Sequence, residues 1–459
     1  MGHLLIKNGS IITEKGLLIR DILVKDKLIV SIDSNIQKPN STTEVIDANS
    51  MYILPGAIDA HVHLDLPTPA GNSSDDFKTG STAAIAGGTT SVIDFVTPAK
   101  EESLLKALKE RKEIASQSLI DYGFHMGVCG WNKNSASEIE QCIKKEGITS
   151  FKVYLAYKGS VGIEDTELIK IMQTVAKFEA LVTVHCEHGD VIKALQTEFI
   201  SNKQSSPIYH ALSHPASIET EAVYRVLAIA KIFGCKVYIV HVSTKESKVL
   251  IRKAQLAKQK VYAETCPHYL LLDDKKYNLP GFQSAAYVIS PPLRKKADQM
   301  ALWDGLKKGT FQVVATDHCP FNMKGQKDAG IHDFTKIPNG AGGIEHRMSL
   351  LYTYGVLKNK ITLNQWVQLC CTQPAKIFGL FPQKGTISIG SDADILIWNP
   401  HKISKISKKT HFQRCDSDIY DDIKIKGSPE YVIVNGILAF DKGNIVNQSK
   451  LKGNYLNRK

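Results

Sequence analysis

The amino-acid sequence predicts an α/β protein, a (β/α)8 TIM barrel with a small composite β-sandwich domain built from both chain ends. Three observations predict this fold. The middle of the chain alternates apolar strand candidates with helical patterns, and both ends carry short β-like runs separated by turns. Eight strand–helix units over about 260 residues also match the usual size of such a barrel. The predicted domains are a sandwich at 1–54 and 376–459 and a barrel at 55–375.

The two ends of the chain carry the β-like runs of the predicted sandwich. They lie at residues 4–7, 21–24 and 28–30 near the start, and at 395–398, 431–434 and 437–440 near the end. Neither end is long enough to bury the core of a sheet alone. The sequence therefore predicts that both ends form one small β domain together.

Between the ends, apolar runs are candidates for the parallel strands of the barrel. They lie at residues 57–64, 90–97, 121–129, 150–157, 181–188, 236–243, 261–270 and 311–318. Helical patterns separate most of them, for example at 101–116, 165–175 and 245–260. In the second of these helices we expect Asp165 to be the N-cap, because apolar residues follow it at the spacing of one helix face.

Composition and charge limit the partners of the chain. Among its 459 residues, 57 Lys+Arg face 46 Asp+Glu, which gives a formal net charge of +11. Hydrophobic residues at 43% and charged residues at 22% exclude a disordered or collagen-like chain. The basic excess lies in short lysine runs without interleaved aromatic residues, which predicts a solvated surface and no nucleic-acid partner.

The sequence also predicts the compartment. No run approaches the roughly 18 apolar residues of a membrane helix, and the start of the chain lacks the pattern of a signal peptide, so we expect no membrane association. The nine cysteines are odd in number, scattered, and without a CxxC pair. Reduced thiols in a cytoplasmic protein are the expectation.

Polar side chains end the predicted strands, at the edge where a barrel of this class has its active site. His61 and His63 end the first strand and face the same side, because side chains alternate along a strand. His185 ends the fifth strand, His241 the sixth and Asp317 the eighth. An HxH pair alone is a weak signal, but this combination predicts a metal site.

Lys152 lies in the fourth predicted strand, among residues of metal-binding type. A protonated lysine cannot bind a metal, but burial lowers the pKa of a lysine, and a neutral amine can add carbon dioxide to form a carbamate. The other candidates exceed the three ligands of a one-zinc catalytic site, and two metals need a bridge. Carboxylated Lys152 is therefore a hypothesis, and a lysine paired with Asp317 is the alternative.

The chain resembles the dihydropyrimidinase and hydantoinase family of cyclic amidohydrolases along nearly its whole length. The matching motifs are PGAIDAHVH at 55–63, DDF at 75–77 followed by AGGTT at 86–90, FKVYLAYK at 151–158, ETCPHY at 264–269, SPPLR at 290–294, TDHC at 316–319 and IPNG at 337–340. They occur in the order of the family, and the β-rich ends resemble its composite sandwich. The combination is highly specific.

The resemblance implies a function for each of these residues. His61, His63 and Asp317 would hold one Zn²⁺ and His185 and His241 the other, with carboxylated Lys152 (N6-carboxylysine) as the bridge. Mn²⁺ or another divalent metal is an alternative. The substrate would be a cyclic amide, a 5,6-dihydropyrimidine or a hydantoin, opened to an N-carbamoyl amino acid.

The resemblance also implies the catalytic roles and the assembly. Asp317 would act as base and then acid, and Tyr157 would donate a hydrogen bond to the oxyanion. The backbones of Ser290 and Asn339 would bind the imide or ureide edge of the substrate. Homotetramers or homodimers are usual in the family. An ordinary rim tyrosine is the alternative for Tyr157, and the start of a Pro-Pro turn is the alternative for Ser290.

Parts of the chain depart from the family. The loop at 64–74 carries small and polar residues where the family has bulkier apolar ones that contact the exocyclic group of the substrate. Asp65 stands where dihydroorotases have an arginine, and we expect its charge to repel a carboxylate. The Asn-Glu-Pro run of allantoinases is absent there, and the segment at 411–420 keeps the family pattern only loosely.

Two other functions remain open at this stage. One is allantoinase or another cyclic-amide hydrolase. The other is a non-catalytic, dihydropyrimidinase-like interaction protein, but such proteins have lost metal ligands and this chain keeps all six positions. His188, His268 and His318 lie next to motif residues and are interpreted as packing or supporting histidines.

Overall fold

Residues 2–13 and 15–458 are described by the structure, a computed structural model. Seven short strands precede the barrel. They are β1 (His3–Lys7), β2 (Ser10–Thr13), β3 (Gly16–Ile19), β4 (Asp21–Lys25), β5 (Leu28–Asp33), β6 (Glu44–Asp47) and β7 (Tyr52–Pro55). Asp26, with a φ of 54°, lies in the tight turn that joins β4 to β5.

The strands of the barrel are all parallel, and each pairs with the next one in chain order. They are β8 (Ala57–Val62), β9 (Thr89–Val96), β10 (Asp121–Gly127), β11 (Ser150–Tyr154), β12 (Leu181–His185), β13 (Lys236–Ile239), β14 (Val261–Thr265) and β15 (Val313–Val314). Each one coincides with a predicted run but ends before the run does. The polar residues that follow leave the sheet and form loops at its C-terminal edge.

Helices lie between the barrel strands and after β15. They are α1 (Phe77–Ala86), α2 (Leu104–Ala115), α3 (Ser135–Lys144), α4 (Asp165–Ala176), α5 (Gly189–Ser201), α6 (Ile208–Leu212), α7 (Ala216–Phe233), α8 (Lys245–Leu256), α9 (Pro267–Leu271), α10 (Lys296–Lys307), α11 (Arg347–Leu351), α12 (Leu363–Val367) and α13 (Gln373–Ile377). The predicted N-cap of α4 is wrong by one residue. Glu164 is the cap, because the carboxylate of Glu167 accepts the backbone N–H of Glu164 at 2.8 Å.

The two ends of the chain share one β structure. The last strands are β16 (Ile395–Lys405), β17 (Lys424–Val434), β18 (Ile437–Asp441) and β19 (Asn444–Ile445). They form a seven-stranded sheet with β7, β2 and β3, in which β16 pairs antiparallel with β7. Ile6, Ile22 and Ile53 from the start of the chain pack with Ile395 and Ile433 between this sheet and the four-stranded sheet of β5, β4, β1 and β6. The predicted fold class is confirmed.

Arg347 closes the barrel where its first and last strands meet. β15 is too short to form a regular ladder with β8, so backbone carbonyls at this seam need other donors. The fully buried guanidinium donates to the carbonyls of Ile58 (2.9 Å) and Val314 (3.0 Å). Nearer the site, the N–H of His63 donates to the carbonyl of His318 at 2.8 Å. Both ends of the seam are therefore bonded.

The last described residues bond to strands of the barrel. The N–H of Leu456 donates to the carbonyl of Tyr122 on β10, and Nη1 of Arg458 donates to Oγ of Ser150 on β11 at 3.0 Å. The predicted domain boundaries, 1–54 with 376–459 and 55–375, stay a prediction.

Candidate active site

A cavity of about 710 Å³ lies at the C-terminal ends of the barrel strands. The structure brings every side chain that the sequence predicted for the site into the lining of this one cavity. These side chains are His61, His63, Lys152, Tyr157, His185, His241, Ser290, Asp317 and Asn339. His188, His268 and His318 are not among the described residues that line it.

Three of these side chains converge at the end of β8. Nε2 of His61 lies 3.2 Å from Nε2 of His63 and 3.1 Å from Oδ1 of Asp317, and Nε2 of His63 lies 3.2 Å from the same oxygen. Ligand atoms at 2.0–2.1 Å from a tetrahedral metal lie about 3.3 Å from one another. The triangle therefore has the size of one face of a tetrahedral metal site.

Glu264, near the end of β14, orients His61. Nδ1 of His61 contacts its carboxylate, which also accepts the backbone N–H of His241 at 3.2 Å and the hydroxyl of Tyr238 at 2.7 Å. In the neutral form of the ring, this contact holds the proton on Nδ1, and the lone pair of Nε2 then faces Asp317. Burial lowers the pKa of His61, but the charges of Asp317 and Glu264 outweigh it and raise the pKa to about 9. The site therefore attracts positive charge.

His185 and His241 form a second pair of imidazoles. Nδ1 of His185 lies 3.0 Å from Nε2 of His241, while Nε2 of His185 donates to Glu187 at 3.0 Å. Burial and the charge of Lys152 lower the pKa of His185 to about 3, and burial together with His185 lowers the pKa of His241. Both rings are neutral at neutral pH, which is the form that binds metals.

Sequence reasoning missed the supporting carboxylates Glu264 and Glu187. Each is fully buried and bonds the ring nitrogen that points away from the cavity. The available signal was their position, because both follow apolar strands in the same way as the predicted ligands. A ligand and its supporting residue cannot be told apart by that signal alone.

Lys152 lies on β11. In the sheet this strand lies between β8, which carries His61, and β12, which ends at His185. Its side chain is buried, and its amine lies 4.9 Å from the ring centres of Phe95 and Tyr154. Across residues 2–13 and 15–458 no ion pair includes this amine, so the alternative pairing with Asp317 is not found. Burial lowers the pKa of Lys152 to about 8. The lowered pKa increases the fraction of neutral amine, the form that carbamate formation requires.

The backbone is strained at several site residues. Tyr157, His241 and Asp317 have φ values of 59°, 38° and 52°, in the left-handed region that non-glycine residues rarely adopt. Each follows the end of a barrel strand, where the chain turns sharply and aims a side chain into the cavity. Such residues cost about 1–3 kcal/mol each and cluster at functional sites.

Tyr157, Ser290 and Asn339 form the opposite part of the lining. Nδ2 of Asn339 donates to Oγ of Ser290 at 3.0 Å, which joins the two loops that carry them. The ring of Tyr157 lies 5.2 Å from that of His185, between these loops and the histidines. Burial around its hydroxyl and the charge of Glu187 raise the pKa of Tyr157, so it stays a hydrogen-bond donor.

The loop at 64–74 contributes its residues from Leu66 to Ala70 to the cavity lining. It is anchored by Oγ of Ser73, which accepts the N–H of Leu66 at 2.9 Å and donates to the carbonyl of His63 at 2.8 Å. Asp65 is not in the described lining, and its carboxylate accepts the amide of Asn72 at 2.8 Å. Direct repulsion of a carboxylate substrate by Asp65 is therefore not supported.

Comparisons with known proteins agree with this geometry. The amidohydrolase family profile matches residues 52–439. A D-hydantoinase from Geobacillus stearothermophilus is 42% identical over 433 residues, covering 94% of this chain and 92% of the relative. A D-hydantoinase from Ralstonia pickettii is 40% identical, with 99% of each chain covered. The chain belongs to the D-hydantoinase and dihydropyrimidinase group of the amidohydrolase family.

A solved structure supports the same assignment. The crystal structure of dihydropyrimidinase from Brevibacillus agri NCHU1002 superposes with a TM-score of 0.97 at 41% identity, covering 100% of this chain and 99% of that chain. The protein is therefore a cyclic amidohydrolase, and membership of this superfamily implies the use of a divalent metal. Among the helices of the described residues, none has the length and apolar character needed to cross a membrane.

Proposed function

We propose that this amidohydrolase opens the ring of 5,6-dihydropyrimidines or hydantoins by hydrolysis of a ring amide bond, and releases N-carbamoyl amino acids. The names of its relatives, D-hydantoinase and dihydropyrimidinase, support this choice of substrate class. The observation that carries the proposal is Lys152, a buried amine without a carboxylate partner among the described residues, in a cavity lined by metal-binding side chains.

Two divalent ions, Zn²⁺ in our proposal, would be held by the two histidine groups. His61, His63 and Asp317 would hold one ion, His185 and His241 the other, and the carbamate of Lys152 would bridge them. When bound, such ions polarise the scissile carbonyl and lower the pKa of the attacking water. The lone pairs that Glu264 and Glu187 direct into the cavity fit this role.

Asp317 would move the proton of the reaction. A water oxygen forms a bond to the ring carbonyl carbon, and Asp317 accepts the proton that this water loses. As the carbon–nitrogen bond breaks, Asp317 delivers that proton to the leaving ring nitrogen. Burial opposes ionisation of this carboxyl, but the charge and hydrogen bonds of His61 and His63 lower the pKa of Asp317, so it starts the reaction as a base.

Tyr157, Ser290 and Asn339 would hold the substrate. The hydroxyl of Tyr157 would donate to the oxyanion that forms at the attacked carbon, a contact typically worth about 3 kcal/mol. Backbone groups of Ser290 and Asn339 would bind the imide or ureide edge. The substituent outside the ring would lie against residues from Leu66 to Ala70, which are small or polar at several positions.

The test pairs metal content with turnover. Protein grown with added zinc and bicarbonate is analysed for metal per chain, and hydrolysis of dihydrouracil and hydantoin is measured before and after chelation. We expect at least about two zinc ions per chain and ring opening that chelation abolishes and zinc restores. Mass analysis of the folded, metal-bound protein at neutral pH, with Lys152→Met as the comparison, detects the added carbon dioxide, which acid would release.

The other outcomes distinguish the parts of the proposal. Metal binding without turnover of either ring would contradict the substrate class. Turnover that survives complete metal removal would contradict the metal mechanism. Homotetramer or homodimer assembly and a cytoplasmic location are part of the same proposal, and free thiols at all nine cysteines are consistent with a reducing compartment.

A further inference from the structure

A second group of metal-binding side chains lies outside the cavity, where the segment between β16 and β17 folds back onto the barrel. It consists of His346, just before α11, and of His411, Gln413 and Asp418 in the connecting segment 406–423. None of the four is among the described residues that line the active-site cavity. All four side chains are largely buried. We call them the connecting-segment cluster.

The polar atoms of the cluster converge on one point. Oδ2 of Asp418 lies 2.7 Å from Nε2 of His346 and 3.2 Å from Nδ1 of His411. The amide nitrogen of Gln413 lies 3.1 Å from the first imidazole nitrogen, 3.4 Å from the second and 3.5 Å from the carboxylate oxygen. Apart from the shorter 2.7 Å contact of Asp418 with His346, these separations are close to the roughly 3.3 Å edge of a tetrahedral zinc site.

The outward contacts of His411 and Asp418 turn their other polar atoms toward the centre. Nε2 of His411 donates to the carbonyl of Cys415 at 3.0 Å, so in the neutral ring Nδ1 faces inward without a proton. Oδ1 of Asp418 accepts the N–H of Tyr420 at 2.8 Å, which aims Oδ2 at the two imidazoles. His411 and Asp418 are thus each fixed by a bond on the far side, as metal-binding histidines and carboxylates commonly are, whereas the bonds of the His346 ring run to Asp418 and Gln413.

Gln413 is not satisfied by hydrogen bonds alone. Its amide nitrogen faces two imidazole nitrogens, while its Oε1 is buried and has no partner among the described residues. The two ends of an amide have the same shape, so half a turn brings Oε1 to the centre of the cluster. In that orientation Oε1, an acceptor, would face a cation at the centre, where the amide nitrogen now faces the two imidazole nitrogens.

A comparison within the molecule shows that no lysine or arginine of the described chain pairs with the carboxylate of this cluster. Asp121, Asp392 and Asp394 also converge, but the amine of Lys384 occupies their centre at 2.5–3.0 Å. In the described chain, the ion pairs of Asp418 are with histidines alone. The connecting-segment cluster therefore combines a buried carboxylate, two imidazoles and an amide without a lysine or arginine.

We propose that the connecting-segment cluster binds one divalent transition-metal ion, of which Zn²⁺ suits the nitrogen and oxygen donors best. His346, His411 and Asp418 are the ligands, and Oε1 of Gln413 or a water completes the set. The ion is structural. It fastens the connecting segment to the barrel, close to the point where the N–H of Arg414 donates to Asp75 at 2.9 Å.

Two substitutions two residues apart test the proposal on the full-length protein. Asp418→Asn removes the ligand charge and keeps the shape, and Asp416→Asn makes the same change at an exposed position outside the cluster. Proteins without a histidine tag are grown with zinc, and metal per chain is measured. We expect Asp418→Asn to hold about one ion fewer than the unsubstituted protein and Asp416→Asn to hold the same number.

Anomalous diffraction at the zinc absorption edge gives a second test that needs no substitution. We expect a peak between His346, His411 and Asp418, separate from any peak in the cavity. Equal metal content in all three proteins, or no peak at the cluster, overturns the proposal and leaves a metal-free pair of histidines bonded to Asp418. If the function proposed for the cavity fails, the loss of one ion in Asp418→Asn is still expected.

Discussion

Two buried lysines of this protein have opposite surroundings. Lys384 has carboxylates from Asp121, Asp392 and Asp394 at 2.8, 3.0 and 2.5 Å from its amine. Lys152 has two aromatic rings near its amine and no ion pair in the described chain. Burial opposes the charge of both, yet the carboxylates raise the pKa of Lys384, while burial lowers the pKa of Lys152 to about 8.

The contrast indicates that Lys384 stabilises the fold, whereas Lys152 takes part in the chemistry of the cavity. Lys384 is a permanent cation. It neutralises the carboxylate of Asp121 on β10 and those of Asp392 and Asp394, which directly precede β16. The charges of Asp317 and Glu264 only partly offset the cost of burying Lys152, and no ion pair holds its amine in the described structure, so its presence points to a chemical reason. A carbamate provides one, because it converts the unpaired amine into a metal ligand.

The largest expected effect follows from replacing Lys152. We expect Lys152→Met to reduce ring-opening turnover by about a thousandfold or more, because polarisation of the carbonyl and activation of water are each worth several kcal/mol. We expect no loss of thermal stability in the metal-free protein, since methionine fills the space without the cost of a buried amine. Steady-state kinetics and thermal denaturation measure the two effects.

The control for this substitution lies six residues further along the chain, in the loop that follows β11. Lys158, outside the described cavity lining, pairs with Glu164 at 2.5 Å on the surface. Lys158→Met should leave turnover within about twofold, because surface ion pairs contribute about 0–1 kcal/mol. A Lys152→Met protein that keeps its turnover would show that the buried amine is not part of the chemistry.

Replacing Lys384 should have the reverse outcome. We expect Lys384→Met to lower the free energy of unfolding by about 3–5 kcal/mol, because it leaves three buried carboxylates without their cation. Turnover per folded molecule should stay unchanged, since Lys384 lies outside the cavity. Denaturant titration measures the stability. A variant as stable as the unsubstituted protein would mean that the carboxylates are not charged, and the contrast with Lys152 would then fail.

The sequence was sufficient for the residues that end the strands. His61, His185 and Asp317 each follow an apolar run, and parallel strands bring such ends to one edge of a barrel. The pattern of eight runs gave the fold class for the same reason. These features are local in sequence, and the architecture then determines where they lie.

The parts that the sequence did not predict depend on contacts between distant segments. Glu264 bonds a histidine on a strand 203 residues away, and only the closed barrel brings them together. Asp65 lies outside the described cavity lining and its carboxylate bonds Asn72, which the sequence alone did not indicate. Its expected repulsion of a carboxylate stays a prediction. The cap of α4 is Glu164 and not Asp165, because the carboxylate of Glu167 bonds the N–H of Glu164.

Lys327, a third buried lysine, extends the comparison to the pH dependence of stability. Its amine donates to the carbonyls of Val288 (3.2 Å) and Pro338 (3.0 Å), and burial lowers its pKa to about 7. In the unfolded chain the pKa of a lysine is about 10.4. Between about pH 7 and 10.4 the unfolded chain therefore binds more protons than the folded one. The free energy of unfolding then rises with pH, by at most about 1.4 kcal/mol per pH unit. Lys327→Met removes this contribution. Urea titrations give the free energy of unfolding of both proteins. We expect the value of the unsubstituted protein minus the value of Lys327→Met to increase from pH 7 to pH 10. A constant difference would show that Lys327 keeps its charge, as Lys384 does.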